Sequence, residues 1–230
     1  MTFDRHSLPD VSGLTVSIIG GTGDQGKGLA YRWARAGHQV LIGSRNAVRG
    51  EATAVELATM PGVTAPVLGG ANRRMAERGD LVVVAVPFEG HADTLGDLRE
   101  PLAGKVVVDC VNPLGFDDRG PYPLRVPEGS AAEQAAALLP DSRLCAAFHH
   151  VSAVLLTDPG VSEVDLDVMV LGDDRDAVAT VQALAARIPR LRGVYAGRLR
   201  NAGQVEALTA NLIAINRRYR THAGVRVTNL

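Results

Sequence analysis

Three glycines, Gly21, Gly23 and Gly26, stand two and three residues apart in the stretch Gly20-Gly21-Thr22-Gly23-Asp24-Gln25-Gly26. This spacing suits the cradling of an anion by bare backbone. Gly21 lets the chain turn tightly, Gly23 leaves the backbone open to a pyrophosphate, and Gly26 lets a helix pack close to a sheet with its positive end on the phosphates. Thr22, Asp24 and Gln25 line the same turn. A second set is Ser44, Arg45 and Arg49. The two arginines lie four residues apart, so on a helix both can face one spot. A dinucleotide without a 2′-phosphate is usually held at its ribose by an acidic residue. None stands here, and a hydroxyl beside a fixed positive fork suits a phosphate dianion. The expectation is NADP rather than NAD. A third set is His149-His150. Each reads either as a polar contact to a bound ring or as a strand-end imidazole bonded to the backbone. His91 reads as a helix-surface residue.

The elements must hold these residues together. Thr15-Val16-Ser17-Ile18-Ile19 reads as a strand before the glycine turn, and Lys27 to Ala36 as the helix after it, with Gly37 just past its end. Gln39 to Gly43 is a second buried strand delivering Ser44 and Arg45, followed by a helix over 47–59. A short strand near Ala65 to Leu68 and a helix near Asn72 to Arg78 follow. Leu81 to Pro87 is a continuous apolar run of the kind buried on both faces of a parallel sheet. Lys105 to Asp109 and Leu144 to Phe148 are two further strands. Ser130 and Glu133 form a capping box for a helix to about Leu139. The stretch 115–129, rich in Gly, Pro and charge, reads as a functional flap or a loose surface excursion. After Pro159 the pattern changes. It gives a strand over Asp167 to Gly172, a helix over 175–188, a short strand at Val194-Tyr195 and an apolar helix over 202–219. Strands alternating with helices predict an α/β fold: a Rossmann-type, doubly wound parallel sheet with a smaller C-terminal α-rich part. The expected divisions are an N-terminal extension (1–13), a dinucleotide-binding domain (14–158) and the C-terminal part (159–230).

The 230 residues bound this reading. They are 46% hydrophobic, enough for a substantial core. The formal net charge of −1 favours neither nucleic acid nor a membrane surface as partner. Cys110 and Cys145 lie in apolar runs with no CxxC pair, which fits a reducing cytoplasm and excludes a disulfide framework. No signal peptide or membrane-spanning run is expected. No GxSxG, paired carboxylates or metal-spaced histidines appear, so neither covalent nor metal chemistry is expected.

Taken together, Gly20 to Ala30, Gly43-Ser44-Arg45, Ala85-Val86-Pro87, Asn112-Pro113-Leu114 and Phe148-His149-His150-Val151 resemble the coenzyme F420-dependent NADP oxidoreductases. The resemblance covers nearly the whole chain after the extension. It implies that Thr22, Ser44, Arg45 and Arg49 hold the 2′-phosphate. It also implies that a deazaflavin lies in a cleft bordered by Val86-Pro87, Asn112-Pro113-Leu114, His149 to Val151, and the last helix near Leu208-Thr209. His149 is then the polar contact to the deazaflavin ring, and the assembly a homodimer. Archaeal members carry arginine and serine where this chain has Gly203 and Ala207, and Ser152 stands where proline is common; Thr209 matches. The implied reaction is direct hydride transfer between deazaflavin C5 and nicotinamide C4, with the protein orienting two cofactors that carry the chemistry.

Two other readings share the fold. An NADPH-dependent reductase of a small carbonyl or imine would need a proton donor, typically lysine, at the cleft. Lys27 belongs to the phosphate turn and Lys105 to the wrong end of the sheet. A non-catalytic NADP-binding sensor would keep every fingerprint residue.

Overall fold

Runs of valine, isoleucine and leucine without polar alternation become central strands covered on both faces. The computed structural model describes residues 8–230, so the first seven residues of the expected extension lie outside them. The chain runs β1 (Val16–Ile19), α1 (Asp24–Arg35), β2 (Val40–Ser44), α2 (Ala47–Ala58), β3 (Val67–Ala71), α3 (Asn72–Arg78), β4 (Leu81–Val84), a 3-10 turn (Phe88–Gly90), α4 (His91–Asp97), α5 (Arg99–Leu102) and β5 (Val106–Asp109). It continues through β6 (Leu114–Asp117), β7 (Gly120–Pro123), α6 (Ala131–Leu138), β8 (Arg143–Ala146), α7 (Ala153–Thr157), β9 (Leu166–Gly172), α8 (Arg175–Ala186), β10 (Leu191–Gly197), a second 3-10 turn (Leu199–Asn201) and α9 (Ala202–Tyr219).

Eight strands form one sheet in the order β3-β2-β1-β4-β5-β8-β9-β10. From β1 the chain winds outward through β2 and β3, then returns to place β4 on the other side of β1. This reversal opens a crevice beyond the C-terminal ends of β1 and β4, the usual ligand site in such sheets. One face is covered by Leu29 and Trp33 of α1, Leu57 of α2 and Leu184 of α8. The other is covered by Ala76 of α3, Leu95 of α4, Ala135 of α6 and Val205 of α9.

Two features differ from the expectation. The residues after 159 continue the same sheet. β9 pairs with β8 antiparallel through Cys145↔Gly172 and Ala146↔Leu171, and β10 pairs with β9 in parallel over its length. The change of pattern after Pro159 is therefore a reversal of strand direction, and the short strand at Val194-Tyr195 is the middle of β10. Residues 115–129 are not a loose excursion. β6 and β7 form an antiparallel hairpin joined by the turn Asp118-Arg119, with Gly120 (φ +115°) opening β7, and β7 packs on α9. Gly115, Gly120, Pro121 and Pro123 lie within the hairpin's strands, while Pro127 and Gly129 lie in the segment that leads into α6. Ser130 caps α6, its Oγ accepting from Glu133 N at 3.0 Å, while the Glu133 carboxylate accepts from that hydroxyl at 3.2 Å rather than from Ser130 N as a capping box would have it.

Candidate functional site

The first turn of α1 has no side-chain cap: its N-cap residue is Gly23. Its leading N–H groups are thus left for something other than protein. They face a cavity of about 620 Å³ bounded by Gly20, Thr22, Gly23, Asp24 and Gln25. A Cβ on Gly23 would meet nothing closer than Gly20 O at 3.7 Å, so the clearance that this glycine provides opens to the cavity. Gly26 needs its bareness against the turn, since a Cβ there would lie 2.7 Å from Gly21 Cα. The left-handed residue is Gly20 (φ +75°) rather than Gly21, and a Cβ on it would stand 2.7 Å from Ala85 O at the end of β4. Gly21 instead donates its N–H to Ile18 O at 3.2 Å and Gly43 O at 3.1 Å, tying the turn to β2. Gly21 and Gly26 therefore shape the turn without lining the cavity.

At the far end of this cavity stand Ser44, Arg45, Asn46 and Arg49. Asn46 Oδ1 accepts from Arg49 N at 3.2 Å and so starts α2, which places Arg49 in its first turn beside Arg45. Neither guanidinium is ion-paired among the described residues. Two unpaired cations at a helix N-terminus form a ready seat for a phosphate. Val86 and Pro87 wall the opposite side, with Glu89, Gly90, Asp93 and Thr94 beyond them. Asn46, Asn72 and the residues of 89–94 were not expected. Asn72 carries a buried Oδ1 without a partner, and only its position just past a strand end marks it in the sequence.

A second cavity of about 240 Å³ adjoins the first, and Gln25 lines both. Asn112, His149, His150, Val151 and Thr209 border it, joined by Ser152, Leu212, Ile213, Asn216 and Ala223. Asn112 Nδ2 donates to His149 O at 2.9 Å, and Thr209 Oγ1 reaches His149 O at 3.2 Å and Asn112 Oδ1 at 3.3 Å. Phe148 is held at φ +66°, a backbone state that bulky residues avoid. Its buried ring stands edge-on to Trp33 at 5.5 Å, and its carbonyl accepts from Gln25 Nε2 at 3.1 Å. This turn presents the two histidines.

The two histidines differ. His150 Nε2 accepts from Met169 N at 3.4 Å, so it is the backbone-bonded imidazole. His149 is buried with no partner at either ring nitrogen. Burial pulls both rings down to about 4, so both are neutral at ordinary pH. His149 lines the cavity while both its nitrogens lie buried without a partner, hydrogen-bonding capacity that the protein itself leaves unused. Pro113, Leu114 and Leu208 line neither cavity. Pro113 is buried, with its carbonyl accepting from Leu124 N at 2.8 Å, and Leu114 begins β6. The positions of α9 that do face the cavity, 209, 212, 213 and 216, follow the helical period and were legible in principle.

His91 corrects the surface reading. It is fully buried, with Nε2 2.7 Å from Asp109 Oδ2 and Nδ1 2.9 Å from Gln134 Oε1. Burial would lower its pKa, but Asp109 and Gln134 outweigh it and raise it. Both ring nitrogens face acceptors, which favours the doubly protonated ring. Nothing in the local sequence marks it, because its partners lie 18 and 43 residues on. Among the described residues no group of three or more His, Cys, Asp or Glu could hold a metal, and no helix is long and apolar enough to cross a membrane.

A bare-backbone turn at a sheet reversal, a seat for an extra phosphate and an adjoining second cavity define a Rossmann-type dinucleotide-binding protein. Comparison with known proteins narrows the class. Residues 15–113 match the family model described as NADP oxidoreductase, coenzyme F420-dependent. The F420-dependent NADP reductase of Methanocaldococcus jannaschii is 36% identical over 94% of this chain and 99% of its own length. That of Methanothermobacter thermautotrophicus is 39% identical over 94% and 96%. A crystal structure of a candidate F420-dependent NADP reductase from Arthrobacter sp. FB24 superposes with a TM-score of 0.77 at 27% identity, covering 94% of this chain and all of that one. The chain belongs to the family of F420-dependent NADP reductases.

Proposed function

We propose that the chain is an oxidoreductase that joins NADP to coenzyme F420, with the dinucleotide in the larger cavity and the deazaflavin in the smaller. The observation that carries this reading is the seam at Gln25, the residue that belongs to both cavities. The two bound molecules supply the chemistry, direct hydride transfer between deazaflavin C5 and nicotinamide C4. The protein positions them and keeps water out. Gly23 and the open end of α1 hold the pyrophosphate, with Thr22, Asp24 and Gln25 around it. Ser44, Arg45 and Arg49 hold the 2′-phosphate. Val86 and Pro87 wall the dinucleotide at the seam. Asn112, Val151 and Thr209 fix the wall on which neutral His149 hydrogen-bonds the deazaflavin.

A small-carbonyl reductase is disfavoured because no lysine faces either cavity. Lys27 pairs with Glu56 at 2.8 Å, and Lys105 Nζ is spent on the carbonyls of Ala76, Glu77 and Gly79. The test is spectrophotometric: purified protein is mixed with NADPH and oxidised F420, and the deazaflavin's visible absorbance is followed. Bleaching that needs both protein and NADPH is expected. Tight NADPH binding without bleaching would leave the sensor reading.

The working unit is a homodimer in the cytoplasm. Two buried free thiols, Cys110 and Cys145, suit a reducing compartment. Phe116 and Tyr122 on the hairpin and Ile215 and Tyr219 on α9 are exposed large apolar side chains on elements that pack on one another. A second copy covers this surface. Light scattering of the purified chain is expected to give twice the monomer mass, and Tyr219→Glu to halve it. An unchanged mass in the variant would move the interface elsewhere.

A further inference from the structure

A third depression, of about 430 Å³, opens beside the second cavity and shares Ser152, Ile213 and Asn216 with it. Its remaining wall includes Arg217, Arg220 and His222, and no carboxylate lines it. The two are joined along one helix face. Thr209, Ile213 and Asn216 recur on α9 at i, i+4 and i+7, a single stripe that starts in the second cavity and reaches the depression, where Arg220 caps the end of the helix. At 1.5 Å per residue the stripe from Thr209 to Asn216 runs about 10 Å. Arg217 and Arg220 form no ion pair among the described residues. Ser152 Oγ lies 3.3 Å from His222 Nδ1, which closes the far wall.

The other direction along α9 is shut. A Cβ on Gly203 would stand 2.9 Å from Gly129 O, so this position lies against backbone. One turn on, Glu206 is buried and its carboxylate accepts from Ala131 N at 2.9 Å and Ala132 N at 3.1 Å. Toward its start α9 is packed against the body of the protein, whereas at its other end the depression offers two guanidiniums without an ion pair among the described residues.

We infer that the groove at Ser152, Asn216, Arg217, Arg220 and His222 is the subsite for the phosphate and glutamyl tail of coenzyme F420. The inference rests on the proposed activity and adds the place where the acidic part of that substrate is held. On this assignment the ring is recognised in the second cavity by shape and by His149. The tail is recognised by charge, in a solvent-facing groove where salt screens the attraction.

The test compares F420 with the same deazaflavin lacking phosphate and glutamates, binding to wild-type protein and to the double variant Arg217→Gln/Arg220→Asn. Asparagine is chosen because Arg220 ends α9 in the left-handed region (φ 50°, ψ 52°), which asparagine tolerates. The readouts are equilibrium binding without NADPH and KM with it. The variant is expected to bind F420 about tenfold more weakly, in keeping with two solvent-facing charge contacts, and to bind the tail-less molecule as wild type does. Its kcat and its KM for NADPH should stay unchanged. The salt dependence of F420 binding seen in wild type should flatten. Equal losses for both molecules, or a loss for neither, would overturn the subsite and leave the activity standing. Wild-type protein that binds neither deazaflavin would overturn the activity itself, and the subsite with it.

Discussion

Gly23 and Arg45 act on the same ligand by opposite means, one through an absent side chain and the other through a charged one. The backbone at Gly23 binds any dinucleotide pyrophosphate, whereas Ser44, Arg45 and Arg49 can favour only the one that carries a further phosphate. Discrimination therefore sits in the second set. Removing a charge-assisted hydrogen bond costs about 1.5–3 kcal/mol, roughly ten- to a hundredfold in affinity. Arg45→Ala is expected to weaken NADPH binding by that factor and to leave NADH binding nearly unchanged. Titration of both nucleotides by fluorescence measures the ratio, and equal weakening would remove the 2′-phosphate from this site. Both sets were legible in the sequence because each lies within a few residues and its chemistry is local. The left-handed state of Gly20 was not, since what forbids a side chain there is the carbonyl of Ala85, 65 residues on and brought close only by the pairing of β1 with β4.

At the scale of elements, the walls of both cavities are tied together by a buried polar chain that no periodicity announces. His91 begins α4 and pairs with Asp109 at the end of β5. Asp109 Oδ1 accepts from Val111 N at 3.0 Å, which fixes the backbone just before Asn112. Gln134 joins the pair from α6, and Glu206 of α9 seals the start of that helix. Sequence reading placed each of these elements and missed what links them, because a buried imidazole and an exposed one are spelled alike. The pair has a clear energetic signature. Breaking a buried ion pair by removing one partner costs about 3–5 kcal/mol, because the other charge is left uncompensated. Asp109→Ala should cost that much in urea unfolding. In the Asp109→Ala background, His91→Leu should then cost far less than it does in wild type. Additive costs would show that the two side chains are not coupled, and that α4 is held to β5 by apolar packing alone.

For the whole molecule, the sheet extends beyond the dinucleotide half without a break, and β9 lies antiparallel to its neighbour β8. The apolar runs foretold the strands but not this reversal, since a run buried on both faces reads the same in either direction. Enclosing the site in one sheet also buries its titratable groups, and they pull stability in opposite directions as pH changes. His149 and His150, held to about 4 by burial, are neutral in the native state where the unfolded chain would take up protons below about 6.5, and burial shifts His38 in the same direction. They therefore withdraw stability as pH falls from about 6.5. Glu206, pushed up to about 7 by burial, and His91, raised by Asp109 and Gln134 against its burial, behave the other way. The native state holds their protons more tightly than the unfolded chain does. What they contribute is complete below the unfolded values and lost as pH rises through the folded ones. Below about 6.5 three depressed histidines outweigh the single proton of Glu206; above it nothing opposes the loss. Urea midpoints measured from pH 5 to pH 8 should therefore pass through a maximum near 6.5 and fall on both sides. His149→Leu should flatten the acid side and leave the alkaline side as it was. A midpoint climbing steadily to pH 8 would mean that His91 is neutral and Glu206 ionised in the folded protein, and that the imidazolium assigned from their hydrogen-bond partners is wrong.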